Sequence, residues 1–438
     1  MSGKLIVIGG GLAGSEAAWR AAQRGIKVTL YEMRPHKMTE AHRSGSLGEL
    51  VCSNSLRSND LYSAPGLLKR ELSMAGSLIM EAAEASAVPA GSALAVDRII
   101  FAEFISKSLS DHPDIEIIRR EITELPEGPA VVATGPLTSE SMACSLSALL
   151  GGDYLYFYDA IAPIIDAGSI DHKKVYRASR YGKGGDDYIN CPMNKDEYEA
   201  FYEALTEADR VTPREFEDQR VFEGCMPIEV MASRGKDTIR FGPMKPVGLV
   251  DPGTGKEPYA VVQLRAENKE LTAYNIVGFQ TRLRRPEQKR VFCMIPGLEK
   301  AEFLRFGSLH RNTFINSPLL LNKDLTLKNR DSIYIAGQIS GVEGYIESTA
   351  MGLVAGINAS LRMGGKTPPE VPTSTAHGAL IRHITESESG RFQPSNINFG
   401  LFPVLEEAMR IRDKKKRKTV IVERALKDWA DYLEKVNL

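Results

Sequence analysis

The sequence has no C-x-x-C pair, and its five cysteines (52, 144, 191, 225 and 293) are odd in number and widely spaced. That argues against a structural zinc site and a dithiol redox centre, so no metal is expected. Free thiols in a reducing compartment are the simplest reading. No apolar run reaches membrane length; the longest candidate, 346–361, is broken by Glu347, Asn358 and two glycines. No strong net charge is present either. At −1 over 438 residues, any nucleic-acid binding must use a local patch. There is no internal repeat, no low-complexity tract and no second G-x-G-x-x-G. The first strand starts at Leu5, which leaves no room for a signal peptide and sets the expectation of a cytoplasmic protein without a membrane partner. With 43% hydrophobic and 25% charged residues, the composition is that of an ordinary soluble protein, long enough for two or three domains.

What is present begins at once. Leu5 to Ile8 is a short apolar run, the pattern of a strand buried on both faces. It enters Gly9-x-Gly11-x-x-Gly14, followed by a predicted helix from Ala13 to Arg24 that Gly25 stops. Lys27 to Tyr31 is a second strand, closed by Glu32, 18 residues after the last glycine. The glycines allow a tight turn, close approach of backbone N–H groups to a pyrophosphate, and close helix–strand packing. The helix N-terminus favours the negative phosphates, and Glu32 can accept from both ribose hydroxyls. A lone glycine motif is weak; here strand, helix and acid all fall in place. The expected cofactor contacts are Gly9, Gly10, Gly11, Leu12, Ala13, Gly14, Glu32 and Arg34. These residues leave NAD and FAD both open.

A polar segment, 33–66, is long for a connection and is suspected of function. Helices are predicted over 66–85 and 98–109, and strands over 115–118 and 130–133. From about residue 160 to 305 the texture changes to short strand-like runs, including 238–241, 259–264 and 273–277. The parallel-sheet pattern returns at 332–336, with a helix over 346–361. The tail is expected to be largely helical after a turn near Phe402-Pro403. The predicted class is α/β: a Rossmann-like, doubly wound, mostly parallel FAD-binding domain interrupted by an inserted α+β domain. The expected divisions are 1–160, 161–305 and 306–438. Two fragments decide the cofactor: Ala133-Thr134-Gly135 after a buried strand, and Ala336-Gly337 followed by a helix, with Gln338, Gly344 and Tyr345 as further expected contacts. With the opening motif they favour FAD. A nicotinamide reductant lacks its own domain here and would bind transiently.

Among reactive residues, most cysteines are packing. Cys52 sits in a polar stretch with Arg57 nearby, a setting that lowers a thiol's pKa. Cys225 lies in Glu-Gly-Cys-Met-Pro, a turn that would expose it. Cys144, Cys191 and Cys293 read as core. Lone histidines are usually structural, but His310 stands among polar groups at the insertion's return. Arg282, Arg284, Arg285, Lys289 and Arg290 form the densest basic run inside the fold, either a solvated face or a phosphate-contact site. Lys414 to Lys418 read as a solvated helix face.

Seven stretches together closely resemble a known family: E-L-V-C-S-N-S-L-R at 49–57, E-G-C-M-P-I-E at 223–229, G-F-Q-T-R-L at 278–283, E-Q-K-R-V-F at 287–292, H-R-N-T-F-I-N-S-P at 310–318, A-G-Q-I-S-G-V-E-G-Y at 336–345 and F-Q-P-S-N-I-N-F-G-L-F-P at 392–403. The sequence is similar from Lys4 to about Pro403 to the bacterial folate- and FAD-dependent tRNA (uracil-5-) methyltransferases. Gln338 replaces the Asp of many flavoproteins, a departure this family shares. The resemblance implies formation of 5-methyluridine at position 54 in the T-loop of tRNA. The one-carbon donor would be 5,10-methylenetetrahydrofolate, the delivering atom flavin N5, and the reductant NADPH or NADH. It implies Cys225 as the thiolate that adds to uracil C6, Cys52 as the second catalytic cysteine, and His310 as a candidate to sandwich the pterin. No obligate protein partner is evident. The competing readings are the same chemistry on a ribosomal RNA uridine, a different flavin-dependent oxidoreductase, and a flavin-carrying RNA-binding protein without turnover.

Overall fold

A computed structural model describes residues 3–150, 154–182, 185–211, 226–404, 411 and 413–438. Leu5–Ile8, Val28–Glu32, Ile115–Arg119, Ala130–Val132 and Arg330–Ile335 form a parallel sheet, and short Thr326–Leu327 adds an antiparallel edge. The order across the sheet is 326–327, 330–335, 130–132, 5–8, 28–32, 115–119. The central strand, Leu5–Ile8, is paired on both sides and is buried but for half-buried Ile6, which is why it reads as an unbroken apolar run. The helix Leu12–Gln23 leaves its carboxyl end and crosses the long helix Tyr345–Met363. Gly352 and Gly356 face the carbonyls of Ala13 and Ala17 at that crossing, where any Cβ would collide.

The second sheet is antiparallel and lies within the insertion. Its order is Tyr176–Arg177, Tyr188–Met193, Ala260–Ala266, Ala273–Ile276, Ile164–Asp166, Phe303–Arg305. Helices Lys195–Glu207, Ile228–Ser233 and Arg285–Phe292 cover one face. Buried apolar residues fall into two large clusters: one from Leu5 to Leu150 with Phe314 to Val436, the other from Ile165 to Ala301. The chain passes between the two clusters twice, and the two passages pair. Tyr154–Ile161 and Ser308–Ile315 form one antiparallel ribbon in unbroken register.

Three sequence expectations need correction. Residues 238–241 form a short helix, not a strand. Alternation over four residues fits one helical turn as well as a strand, here with Ile239 buried and Phe241 outside. The predicted helix over 66–85 is two helices, Ala64–Met74 and Leu78–Ala85, broken where Gly76 takes φ +66° and Ser77 caps the second. A helix at Ala376–Glu386 was not anticipated; Thr375 caps it. Glu71 bonds its first N–H groups and Nδ1 of His377. The tail helix Lys414–Lys435 docks there through Trp429, whose Nε1 donates to the Glu71 carbonyl and whose ring stacks on His377. Lys415, Lys416 and Lys418 are exposed, as expected of a solvated face.

The helix crossing is open to test. Gly352→Ala drives a methyl into the Ala13 carbonyl and is expected to cost about 1–3 kcal/mol, read as a lower denaturation midpoint.

Candidate active site

The carboxyl ends of the parallel strands open into a cleft that encloses about 1030 Å³ of space, open solvent included. Gly9, Gly11, Leu12 and Ala13 line it with Glu32, Arg34, Ala133, Thr134, Gly135, Gly337, Gln338 and Tyr345. The cleft thus gathers most of the expected cofactor residues, drawn from four separate parts of the chain. Gly10, Gly14 and Gly344 support the wall from behind: Gly10 N–H donates to Glu32, Gly14 packs on the Gly9 carbonyl, and Gly344 precedes the long helix.

The residues present fit a flavin dinucleotide. Gly11 precedes a helix with no side-chain cap and no acid in its first turn, so the helix N-terminus is left for an anion. A Cβ at Gly11 would meet nothing within 4 Å, although Gly9, on the turn's other side, would strike the Ala133 backbone. The turn is packed behind and open in front, as a backbone cradle must be.

Glu32, in the cleft lining, also fixes the local structure. Its carboxylate accepts from the Gly10 N–H at 2.9 Å, the Arg34 N–H at 2.9 Å, Arg34 Nε at 3.0 Å and Nη2 at 3.1 Å. These four bonds use the sites a carboxylate offers, so its first task is to fix the turn and Arg34. Burial alone would raise its pKa, but the Arg34 and Gly10 bonds hold it below the usual carboxylate range. That contribution to stability is present above about pH 4.3 and lost as pH falls through the depressed value. Arg34 is 2% exposed and also reaches Glu49 at 3.0 Å. His42, in the cleft wall, has its pKa pushed down to about 4 by burial and then by Arg34, so it is neutral at pH 7.

Cys52 stands at the cleft's edge. Its N–H donates to the Tyr345 hydroxyl at 2.8 Å, and its carbonyl accepts from Arg98 Nη2 at 2.9 Å. Arg98 also bonds Leu50 O and pairs with Glu267, while Arg265 reaches Ser53 Oγ and Asn54 Oδ1. The cysteine loop is therefore gripped from both domains. Beyond it, buried Lys69 donates to the carbonyls of Leu56, Arg57 and Ser58. Arg57 pairs with buried Glu347 at 2.8 Å on the long helix. Sequence reading missed Arg98, Arg265, Lys69 and Glu347, because each comes from a distant segment. It also missed the 120–122 and 136–139 stretches of the wall. The rule that ligands bind beyond the carboxyl ends of parallel strands would have found those.

Cys225 lies outside the described residues. The two ends of its segment are anchored side by side: Val211 N–H donates to Arg282 O, and Ile228 N–H to Gln280 O. Buried Glu229 accepts from Thr281 Oγ1 and Arg282 N–H. Arg282 is half-buried beside Glu229, whereas Arg284, Arg285, Lys289 and Arg290 are exposed. Arg290 pairs with Glu287 at 2.6 Å. His310 lies on the ribbon strand Ser308–Ile315. Cys191 is fully buried, its thiol pushed up by burial, and Cys293 is half-buried. Cys144 is exposed and not core: the helix Glu140–Leu150 buries Met142, Leu146 and Leu150 and turns position 144 outward. No metal-binding cluster and no helix long and apolar enough to cross a membrane occur among the described residues.

Comparison with known proteins followed the same lines. A family model described as "Glucose inhibited division protein A" matches residues 4–367. A Moorella thermoacetica protein named methylenetetrahydrofolate--tRNA-(uracil-5-)-methyltransferase is 58% identical over 430 residues, covering 98% of each chain. A Geobacter sulfurreducens protein of the same name is 56% identical over the whole of both chains. Among solved structures, Aquifex aeolicus GidA aligns with a TM-score of 0.72 at 19% identity, over 98% of this chain and 73% of that one, a likeness of fold.

The open front of the glycine turn separates binding from folding. Gly11→Val is expected to leave the melting temperature of the flavin-free protein within about 2 °C, inside the range of neutral substitutions. It should weaken FAD binding at least tenfold in a fluorescence titration. A large loss of stability with FAD binding intact would reject the cradle.

Proposed function

The chain belongs to the glucose inhibited division protein A family and, within it, to the methylenetetrahydrofolate--tRNA-(uracil-5-)-methyltransferases, and on that premise we propose that it forms 5-methyluridine at position 54 in the T-loop of tRNA. The one-carbon donor is 5,10-methylenetetrahydrofolate and the reductant NADPH or NADH. Carbon and electrons then balance: uridine, methylenetetrahydrofolate, NAD(P)H and a proton give 5-methyluridine, tetrahydrofolate and NAD(P)⁺. Bound FAD supplies the one-carbon carriage and the hydride. The cytoplasm is the place where tRNA, folate and reduced thiols coincide.

The observation that supports this reading is the placement of Cys52. A reactive residue type directly follows Val51 of the cleft wall, its loop tied to Tyr345 of that wall and to Arg98 and Arg265. Uracil C5 is a poor nucleophile until a thiolate adds to C6, and the C5 proton must then leave before the thiolate is expelled. Cys225 is assigned the C6 addition. Cys52 is assigned the second cysteine role, near the cofactor. Glu32 and Arg34 fix the turn that binds the cofactor's pyrophosphate, and the first turn of the Leu12–Gln23 helix faces the phosphates. His310 is assigned to the pterin. Arg284, Arg285, Lys289 and Arg290 are exposed beside the anchors of the Cys225 segment and are assigned to the RNA backbone with Arg282.

Two measurements test this. With FAD and NADPH present, labelled methylenetetrahydrofolate should pass its carbon to an unmodified tRNA transcript at the T-loop uridine, and labelled S-adenosylmethionine should not. Absence of transfer would sink the reading, and transfer to ribosomal RNA alone would move the target. Cys225→Ala should abolish transfer, a loss of at least a thousandfold in rate, while the protein keeps its yellow colour. Full activity in that variant would remove Cys225 from the chemistry.

A further inference from the structure

The inserted sheet has two faces, and the face turned from its helices is polar. Register places Tyr188, Arg265, Asn275, Ile164 and Arg305 opposite one another on five successive strands. Residues paired in this way project from the same face. The neighbouring row, Leu264, Ile276 and then Tyr274 with Ile165, points the other way into the core. A β-bulge brings Arg305 into the polar row. Phe303 pairs with Ile165 and packs on the core, yet Arg305, two residues on, pairs with Ile164 instead of turning inward. The extra residue, Leu304, re-aims the guanidinium, a known use of bulges.

This row faces the cofactor domain beside Cys52. Arg265 bonds Ser53 and Asn54, and Arg305 reaches the carbonyl of Ala41. Two atoms in the row are buried and have no partner: Asn275 Nδ2, on a residue 3% exposed, and Arg305 Nε. Both are donors. The nearby acid Glu267 is engaged by Arg98. Burial first, and then the neighbouring Arg98, pushes the Arg305 guanidinium's pKa down. Buried donors and buried cations without acceptors are costly unless something arrives to satisfy them. Asn275 and Arg305 stand two strand spacings apart, roughly 9–10 Å along the sheet, a gap that a long arginine side chain and one oxyanion can close.

We propose that Asn275 and Arg305, backed by Arg265, form an oxyanion subsite on the inner face of the inserted sheet, which takes a carboxylate or phosphate of a small co-substrate bound against the cofactor cleft. The proposal rests on the functional reading above for the identity of the co-substrates. A planar guanidinium and an amide N–H together match the oxygens of a carboxylate or phosphate, and the row carries no carboxylate to compete for them. Two co-substrates bring such groups: the folate through its glutamyl carboxylates, and NADPH through its phosphates. Bound there, either would extend from the row toward Cys52 and Tyr345.

The test uses the FAD-loaded enzyme. Affinities for 5-formyltetrahydrofolate and for NADPH are measured separately by equilibrium dialysis in the wild type, Asn275→Asp, Arg305→Gln and Arg305→Lys. Asn275→Asp replaces the donor by a carboxylate of the same shape. It and Arg305→Gln are expected to raise the Kd of at least one probe tenfold or more with FAD content unchanged, and Arg305→Lys should recover part of the loss. The probe affected names the source of the oxyanion. Should Arg305→Gln fail to hold FAD, Asn275→Asp decides; should both fail, competition of the probes by inorganic phosphate in the wild type decides. Unchanged affinities for both probes in FAD-loaded variants, or no competition by phosphate where that decides, would overturn the subsite. Wild-type enzyme that binds the probes but transfers no carbon to tRNA would instead overturn the functional reading and leave the subsite standing.

Discussion

One buried carboxylate organises the cofactor side of this molecule. Glu32 ends the second parallel strand and binds the Gly10 N–H behind the glycine turn. It also holds Arg34, which reaches Glu49 at the far end of the long polar loop. Glu49 in turn accepts from the N–H groups of Arg43 and Ser44, and the Gly48 N–H returns to the Gly10 carbonyl. Strand, turn and loop are thus closed into one unit around buried Arg34, which pairs with both Glu32 and Glu49. Removing one partner of such a pair costs about 3–5 kcal/mol, because the other is left as an unpaired buried charge. The loop that leads to Cys52 has its course set here.

The other end of that loop belongs to both domains. Asn54 donates to Val96 O on the cofactor side and Ala266 O on the inserted side, and accepts from Arg265. Arg98 and Glu267 pair across the same boundary. The paired ribbon of 154–161 and 308–315 carries both chain passages, so the inserted sheet is held to the cofactor domain by backbone as well as by side chains. Cys52 is therefore placed by an interface, and any shift of the insertion moves its loop. A cysteine that must act beside a bound cofactor gains from this, because two domains fix its backbone.

Several elements were legible because their cause is local. The run Leu5–Ile8, the spaced glycines and the acid at Glu32 are the direct record of a buried strand, a tight turn and a second strand end. The return at Arg330–Ile335 was legible for the same reason. Thr238–Phe241 was misread because four alternating residues fit one helical turn as well as a strand. The break at Gly76 was hidden inside a continuous helical pattern. Cys144 was assigned to the core from its apolar neighbours, yet helix phase turns it outward. Glu32 lines the cleft, but its bonding to Arg34 could not be seen, since two residues' separation in sequence says nothing of a side chain folding back.

By itself the sequence determined that a dinucleotide site opens the chain, that the nucleotide-binding sheet is interrupted and resumed, and which cysteines stand in distinctive surroundings. These follow from periodicity, glycine spacing and composition, which act over a few residues. Only the tertiary structure decided what grips the Cys52 loop and what lines the inner face of the inserted sheet. Arg98, Arg265, Asn275 and Arg305 are separated by as many as 207 residues and carry no local signature. Their shared position is set by strand register, by the bulge at Leu304 and by the pairing of the two domains. Register is a cooperative property of whole sheets, fixed by which faces are buried, and it exists only once the chain has folded.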